Sequence, residues 1–343
     1  MFKKITIMFL SLWISTTSIN TCYAWKSSQN KTQPNMGKAL GIDIGGTKIS
    51  YALINYKGKI QGQVTKIETP KTAKEIENTL KKIIKEFDKK IDFVAIATAG
   101  AVNNENTKII GTAGNLPKGY TNINFQALSK KNKVFLENDA NAAAWAEYKV
   151  GASKDCKHSV MLTLGTGVGA GIIIDGEMLK GKSGAAGEVH FPLSRHKERK
   201  CTCGAWDCFE TYASGNGLRL TGAEIFNDEN ITTYDIVRMV KNNDKKAILA
   251  LETWQKDIAL GIVGLNNIFD ADCFVLSGSM EQFVNVVNVE KMVNESIIAT
   301  PTKIYHAKAG NFSGMIGAVL YGWERMYNTK KLQLLKNIIS YLL

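Results

Sequence analysis

Apolar and polar positions along this chain fall into two similar series. In the first, Leu40-Gly41-Ile42-Asp43-Ile44 runs into the turn Gly45-Gly46-Thr47-Lys48 and returns through Ile49-Ser50-Tyr51-Ala52-Leu53. In the second, Leu162-Thr163-Leu164 runs into Gly165-Thr166-Gly167-Val168-Gly169 and returns through Gly171 to Ile174. Each series predicts a strand, a tight turn and an antiparallel strand. A glycine turn also lets backbone N–H groups approach an anion that a side chain would hold away. One such turn is an ordinary hairpin. A matched pair, with Asp43 two residues before the first glycines, favours a nucleotide polyphosphate gripped from both sides.

The remaining pattern extends both series into α/β halves. The first reads as a hairpin over Ala39–Leu53 and Gly58–Ile67, a helix over Ala73–Lys90 and a strand over Phe93–Thr98. A loop containing Gly111, Gly114, Asn115 and Pro117 follows, then the short strand Val134-Phe135-Leu136. Ala140 to Tyr148 is a helix pattern with Asn138 or Asp139 near its N-cap. The second series continues from strands Ser159–Leu164 and Gly171–Asp175 into a Gly- and Cys-rich stretch. Helices over Gly215–Phe226, Thr233–Lys241 and Asp244–Phe269, a strand over Cys273–Leu276 and a returning helix from Gly310 to Tyr327 complete it. Two similar halves predict a duplicated α/β architecture with two lobes and a central cleft. The lobes divide as 36–150 and 151–312, with 313–343 crossing back to the first.

At 343 residues the chain is long enough for two cores. Its net charge of +12 raises the question of nucleic acid. Yet Lys3, Lys4, Lys26 and Lys31 sit in a stretch free of acids, and the other lysines alternate with acids, as over Lys81–Lys90. That spacing describes solvated helix faces, with no basic stripe interleaved with aromatics, so nucleic acid is not the expected partner. Met1-Phe2-Lys3-Lys4, the apolar Ile5 to Ile14 and the small residues near Cys22-Tyr23-Ala24 resemble an export signal. Met36 stands just before the first strand, so residues 1–35 read either as a leader or as an over-extended reading frame. The second is preferred, with a cytoplasmic location, because nucleotide loops need a nucleotide supply. The basic amphipathic tail Lys330–Leu343 is expected to pack on protein rather than on a membrane.

Two segments carry chemistry. Glu137-Asn138-Asp139-Ala140-Asn141 joins a strand to a helix. Asp139 there either caps the helix or takes a proton from a hydroxyl attacking a phosphoryl group, and the two glycine turns favour the second role. Cys201-Thr202-Cys203-Gly204-Ala205-Trp206-Asp207-Cys208 places three of the six cysteines within eight residues. That density reads as a structural zinc site, with His190 or His196 as the fourth ligand. Glu188 and Glu210 are the functional groups such a site would hold in place.

Together these motifs resemble the repressor, open reading frame and kinase (ROK) family of sugar kinases and regulators. The resemblance implies an actin-like ATPase (ribonuclease H-like) fold over residues 38 to about 325. It implies that Asp43, Gly45, Gly46, Thr47 and Lys48 form a first phosphate motif and Gly165, Thr166, Gly167 and Gly169 a second. Gly278, in Leu276-Ser277-Gly278-Ser279, falls on the adenosine side. Asp139 is then the catalytic base, and Asn115, Asn138, Glu188, His190 and Glu210 contact the sugar. Cys201, Cys203 and Cys208 ligate zinc. Two departures stand out. The family's Glu-x-Gly-His is here Glu188-Val189-His190, so His190, His196 or a water is the fourth ligand, with His190 preferred; and Asp207 replaces the usual glycine before the last cysteine.

The expected activity is an ATP- and Mg²⁺-dependent kinase acting on a hexose hydroxyl, glucose O6 first. N-acetylglucosamine, N-acetylmannosamine and fructose are the alternative acceptors. A sugar-sensing repressor is the competing class; the 38 residues before the first strand lack a basic trihelical pattern, which argues against it. Kinases of this kind are often dimers, so a homodimer is expected.

Overall fold

The computed structural model describes residues 37–111 and 116–342, with side chains as far as Asn328. The leader, Asn115 and the side chains of the basic tail lie outside these residues. Strands β1 (Lys38–Ile44) and β2 (Lys48–Asn55) pair antiparallel from Lys38↔Asn55 to Ile44↔Ile49, as the alternation predicts. β3 (Ile60–Glu68) extends the sheet beyond β2. Helix α1 (Ala73–Phe87) opens on a capping box between Thr72 and Glu75 and buries Ile76, Leu80, Ile83 and Ile84, one face at helical spacing. It ends before Lys90, because the Lys90 N–H turns back to the Phe87 carbonyl at 2.7 Å.

β4 (Phe93–Thr98) runs parallel to β1 and is buried at every position, the pattern of a strand covered on both faces. After the short hairpin β5 (Ala101–Val102) and β6 (Ile109–Gly111), β7 (Lys133–Asn138) lies parallel to β4. The first sheet has the order β3-β2-β1-β4-β7.

The second sheet repeats this order. β8 (Ser159–Leu164) and β9 (Val168–Ile174) form its hairpin, β10 (Glu177–Met178) borders β9, and β11 (Cys273–Ser277) and β12 (Lys303–His306) follow in parallel, giving β10-β9-β8-β11-β12. Duplication therefore holds strand by strand, with two antiparallel and two parallel pairings in each sheet.

Helix α2 (Asp139–Val150) follows β7. The second half adds α3 (Phe209–Ala213), α4 (Gly215–Phe226), α5 (Thr233–Lys241), α6 (Lys245–Phe269) and α7 (Val286–Asn294). Trp254 of α6 is fully buried, and its indole N–H donates to the Ala213 and Ser214 carbonyls at 3.0 Å, so this large side chain enters the core with its polar atom paired. The returning helix α8 (Ser313–Leu342) starts three residues later than expected and runs fifteen residues further. It packs on α2, β1 and β4, while α2 packs on β9, so these two helices join the sheets. Their crossing is close: a Cβ on Gly317 would sit 1.6 Å from the Ala142 carbonyl oxygen.

Cys156 and Cys273 are bonded to one another, a pairing the sequence pattern does not announce. Beside the bridge, Asp272 accepts the N–H groups of Lys157 and His158 at 2.8 Å, fixing the loop that precedes β8. No helix among the described residues is long and apolar enough to cross a membrane.

Candidate active site

The parallel strands of the first sheet end side by side, with Asp43 opposite Ala97 and Thr98 opposite Asn138. Carboxyl ends of parallel strands are where open α/β sheets gather their ligands. Asp43 is the last residue but one of β1, and Asp139 is the first residue of α2. The N-cap is Asn138, whose side chain accepts the Asn141 N–H at 3.0 Å. The capping duty therefore falls to Asn138, and the Asp139 carboxylate accepts the Ala140 N–H at 2.9 Å.

Both carboxylates are raised. Burial, and then the neighbouring Asp139, push Asp43 up to about 6. Asp139 is open to solvent at its edge yet enclosed by enough protein that burial raises it too, against the pull of the backbone N–H groups of Ala140 and Asp139. Tyr120 stands over the pair, its hydroxyl 2.8 Å from the Thr98 hydroxyl and raised chiefly by burial. Sequence reasoning passed over Tyr120; its place after a Gly-rich loop was the available signal.

The first glycine turn is closed by the Gly45 N–H donating to the Lys48 carbonyl at 2.9 Å and braced by the Thr69 hydroxyl on the Gly45 carbonyl at 2.6 Å. Gly46, Thr47 and Lys48 are exposed at its tip. The second turn meets α2 directly, since a Cβ on Gly169 would lie 3.1 Å from that of Ala140. This contact brings the Gly165–Gly169 backbone beside Asp139. Thr166 is exposed at the turn's tip, and Gly165 accepts the Gly215 N–H at 2.8 Å. Gly278 folds against the same strand end: its φ of 91° is left-handed, and a Cβ there would fall 2.4 Å from the Leu164 oxygen. Two sheets thus present their turns to one place.

The cysteine loop lies alongside. The ligand atoms of His190, Cys201, Cys203 and Cys208 all lie within 4.8 Å of one another, whereas exposed His196 is outside the group. Tetrahedral zinc with Zn–S near ~2.3 Å needs sulfurs roughly 3.8 Å apart. Cys203 and Cys208 stand 3.6 Å apart, and the His190 Nδ1 lies 3.8 Å from the Cys201 sulfur, so these residues fit such an ion. The other ring nitrogen of His190 is 3.5 Å from the exposed Glu188 carboxylate, the outer partner that orients a ligating imidazole. Glu210, on α3, accepts the Val168 N–H at 3.0 Å and so touches the second glycine turn.

The departure at Asp207 has a physical reason. Its φ of 57° is the left-handed conformation in which glycine is usual, and its buried carboxylate accepts the N–H groups of Lys197, Glu198 and Arg199 and the Tyr212 hydroxyl. These bonds hold its carboxyl below the usual range despite burial. A carboxylate here organises the loop before Cys201 in a way glycine could not.

The ROK family description matches residues 39–323 of this chain. N-acetylmannosamine kinase of Yersinia pestis is 30% identical over 298 residues, covering 84% of this chain and 99% of that protein. The Haemophilus influenzae enzyme of the same name is 29% identical over 294 residues, covering 83% and 95%. Among solved structures, a ROK family glucokinase from Streptomyces griseus in complex with glucose and AMPPNP is similar at a TM-score of 0.69 and 27% identity, covering 82% of this chain and 98% of that one. A ROK hexokinase from Thermus thermophilus is similar at 0.73 and 26%, covering 85% and 99%. The family match and the likeness to the solved ROK structures agree, and the chain belongs to the ROK family.

Proposed function

We propose that this ATP-dependent sugar kinase of the ROK family phosphorylates the primary hydroxyl of an N-acetylhexosamine, with N-acetylmannosamine the favoured acceptor. The observation that carries the reading is Asp139 at the head of α2, released from capping by Asn138 and set beside the second glycine turn. A base whose carboxyl is raised by burial accepts a proton more readily than a solvated aspartate. Asp139 takes the hydroxyl proton as that oxygen attacks the γ-phosphorus. The turns Gly45–Lys48 and Gly165–Gly169 line the phosphates, with Gly278 on the adenosine side. Asp43 would hold Mg²⁺ through water, and that ion would neutralise charge on the phosphate oxygens.

Asn115, Asn138, Glu188, His190 and Glu210 hold the sugar ring. Zinc on Cys201, Cys203, Cys208 and His190 would serve structure, fixing the loop that carries Glu210. N-acetylmannosamine comes first because the curated relatives above bear that activity in their names. Glucose is the second reading, favoured by the glucose-bound Streptomyces structure. A homodimer in the cytoplasm, where ATP is supplied, completes the proposal.

ADP release from Mg-ATP across a panel of N-acetylmannosamine, N-acetylglucosamine, glucose and fructose tests it, with Asp139→Asn as control. Highest kcat/KM on N-acetylmannosamine, with kcat lowered about 10²- to 10⁴-fold in the variant, is expected. Preference for glucose replaces the acceptor; full turnover by Asp139→Asn overturns the base.

A further inference from the structure

Glu137 ends two residues before the base and is almost wholly buried, with 2% of its side chain exposed. Its carboxylate gathers the strand end around itself. One oxygen accepts the Asn138 N–H at 2.9 Å and the Asn141 side chain at 3.4 Å; the other accepts the Asn106 side chain at 2.8 Å. Asn106 in turn donates to the Leu136 carbonyl at 2.7 Å and accepts the Leu136 N–H at 2.9 Å. The last turn of β7 and the first turn of α2 therefore hang on one carboxylate.

A buried carboxylate needs a counter-charge. Glu137 takes it from the other half of the fold: the Lys180 ammonium lies 2.6 and 2.8 Å from its two oxygens and is itself 11% exposed. Lys180 follows β10 and begins the segment that leads to Glu188. The same segment is held a second time, because the Asn104 side chain donates to the Gly181 and Lys182 carbonyls at 3.1 and 3.0 Å. Asn104 lies in the β5–β6 hairpin, on the first half.

We propose that Lys180 is a positioning residue. Through Glu137 it holds the segment carrying Glu188 in register with the strand end carrying Asn138 and Asp139, so that the sugar's ring contacts and its reacting hydroxyl are set by one ion pair. The inference rests on the kinase reading above.

The test compares Lys180→Met, Lys180→Arg and the double variant Lys180→Met/Glu137→Gln by initial rates and melting. Lys180→Met is expected to raise KM for the sugar and lower kcat, together about 10²-fold in kcat/KM, with KM for ATP unchanged. Arginine, which also reaches both carboxylate oxygens, restores most of the loss. The double variant leaves no unpaired buried charge, so it melts close to the wild type, yet its sugar KM stays raised. Wild-type sugar kinetics in the double variant, or equal changes in the two KM values, overturn the proposal. Should the wild type turn over no sugar, that failure belongs to the kinase reading. Hydrogen exchange of amides 179–187 then decides: faster exchange in the melting-competent double variant supports the tie, and unchanged exchange overturns it.

Discussion

Glu210 accepts the N–H of Val168, so the residue that follows the last cysteine by two is bonded to the second glycine turn. The contact is tight enough that a Cβ on Gly167 would fall 2.4 Å from the Glu210 carboxylate. On the roles proposed for them, sugar recognition and phosphate binding would thereby be mechanically joined. Gly167→Ala displaces Glu210 without opening a cavity. We expect kcat/KM to fall about 10²-fold, the loss that a misplacement near 1 Å can produce, with little change in melting temperature. Steady-state kinetics and a thermal melt check both halves, and normal kinetics would show that Glu210 has room to move.

Asp43 makes a stability prediction with a definite sign. Its carboxyl is raised from 3.8 to about 6, so between those values the folded protein keeps a proton that the unfolded chain has released. The stability this contributes is complete below pH 3.8 and is lost as pH rises through about 6. At pH 7 the ligand-free protein carries a penalty of up to about 3 kcal/mol at this site, following the conversion of pKa shift to free energy. Asp43→Asn should therefore melt above the wild type at pH 7 and approach it at pH 4, while losing phosphoryl transfer. A gap that does not change with pH would refute the assignment of cause.

The metal site separates two histidines. Zinc analysis should find one ion per chain in the wild type and in His196→Ala, and markedly less in His190→Ala. Only the His190 ring reaches the three sulfurs among the described residues. Undiminished zinc in His190→Ala would sink this ligand set.

The bonded pair Cys156–Cys273 spans 117 residues. A loop of that length stabilises by about 5 kcal/mol in the chain-entropy account. Cytosolic proteins seldom keep such bonds. Thiol titration of freshly isolated, unfolded protein should find the two thiols free if the chain works in the cytoplasm, and the melting temperature should rise on oxidation. A bond already formed in the cell would argue against that location.

Much of this was legible in the residues. Strand–turn–strand series gave both hairpins, because a Gly/Thr turn between apolar runs has few other solutions. Asp43, Asp139 and the three cysteines were readable because each sits at fixed spacing from a glycine turn or a helix start. Lys180, Asn106 and Tyr120 were not, since their partners Glu137 and Thr98 are far away in sequence and only the fold brings them together. Asp207 was visible as a departure, yet its meaning came only with the three N–H groups that converge on it. The break expected after Tyr327 is absent: α8 runs on through the amphipathic tail to Leu342 as one helix.

The near-touching of Gly317 and Ala142 makes a fulcrum. With backbone against backbone, the two helices that join the halves have no cushion of side chains at that point through which to slide, so any rocking between them would turn about it. Asp139 lies three residues from Ala142, about 4.5 Å along the helix axis. A group so near the pivot would sweep only a short arc. On the role proposed for Asp139, such rocking would leave the proton acceptor almost in place.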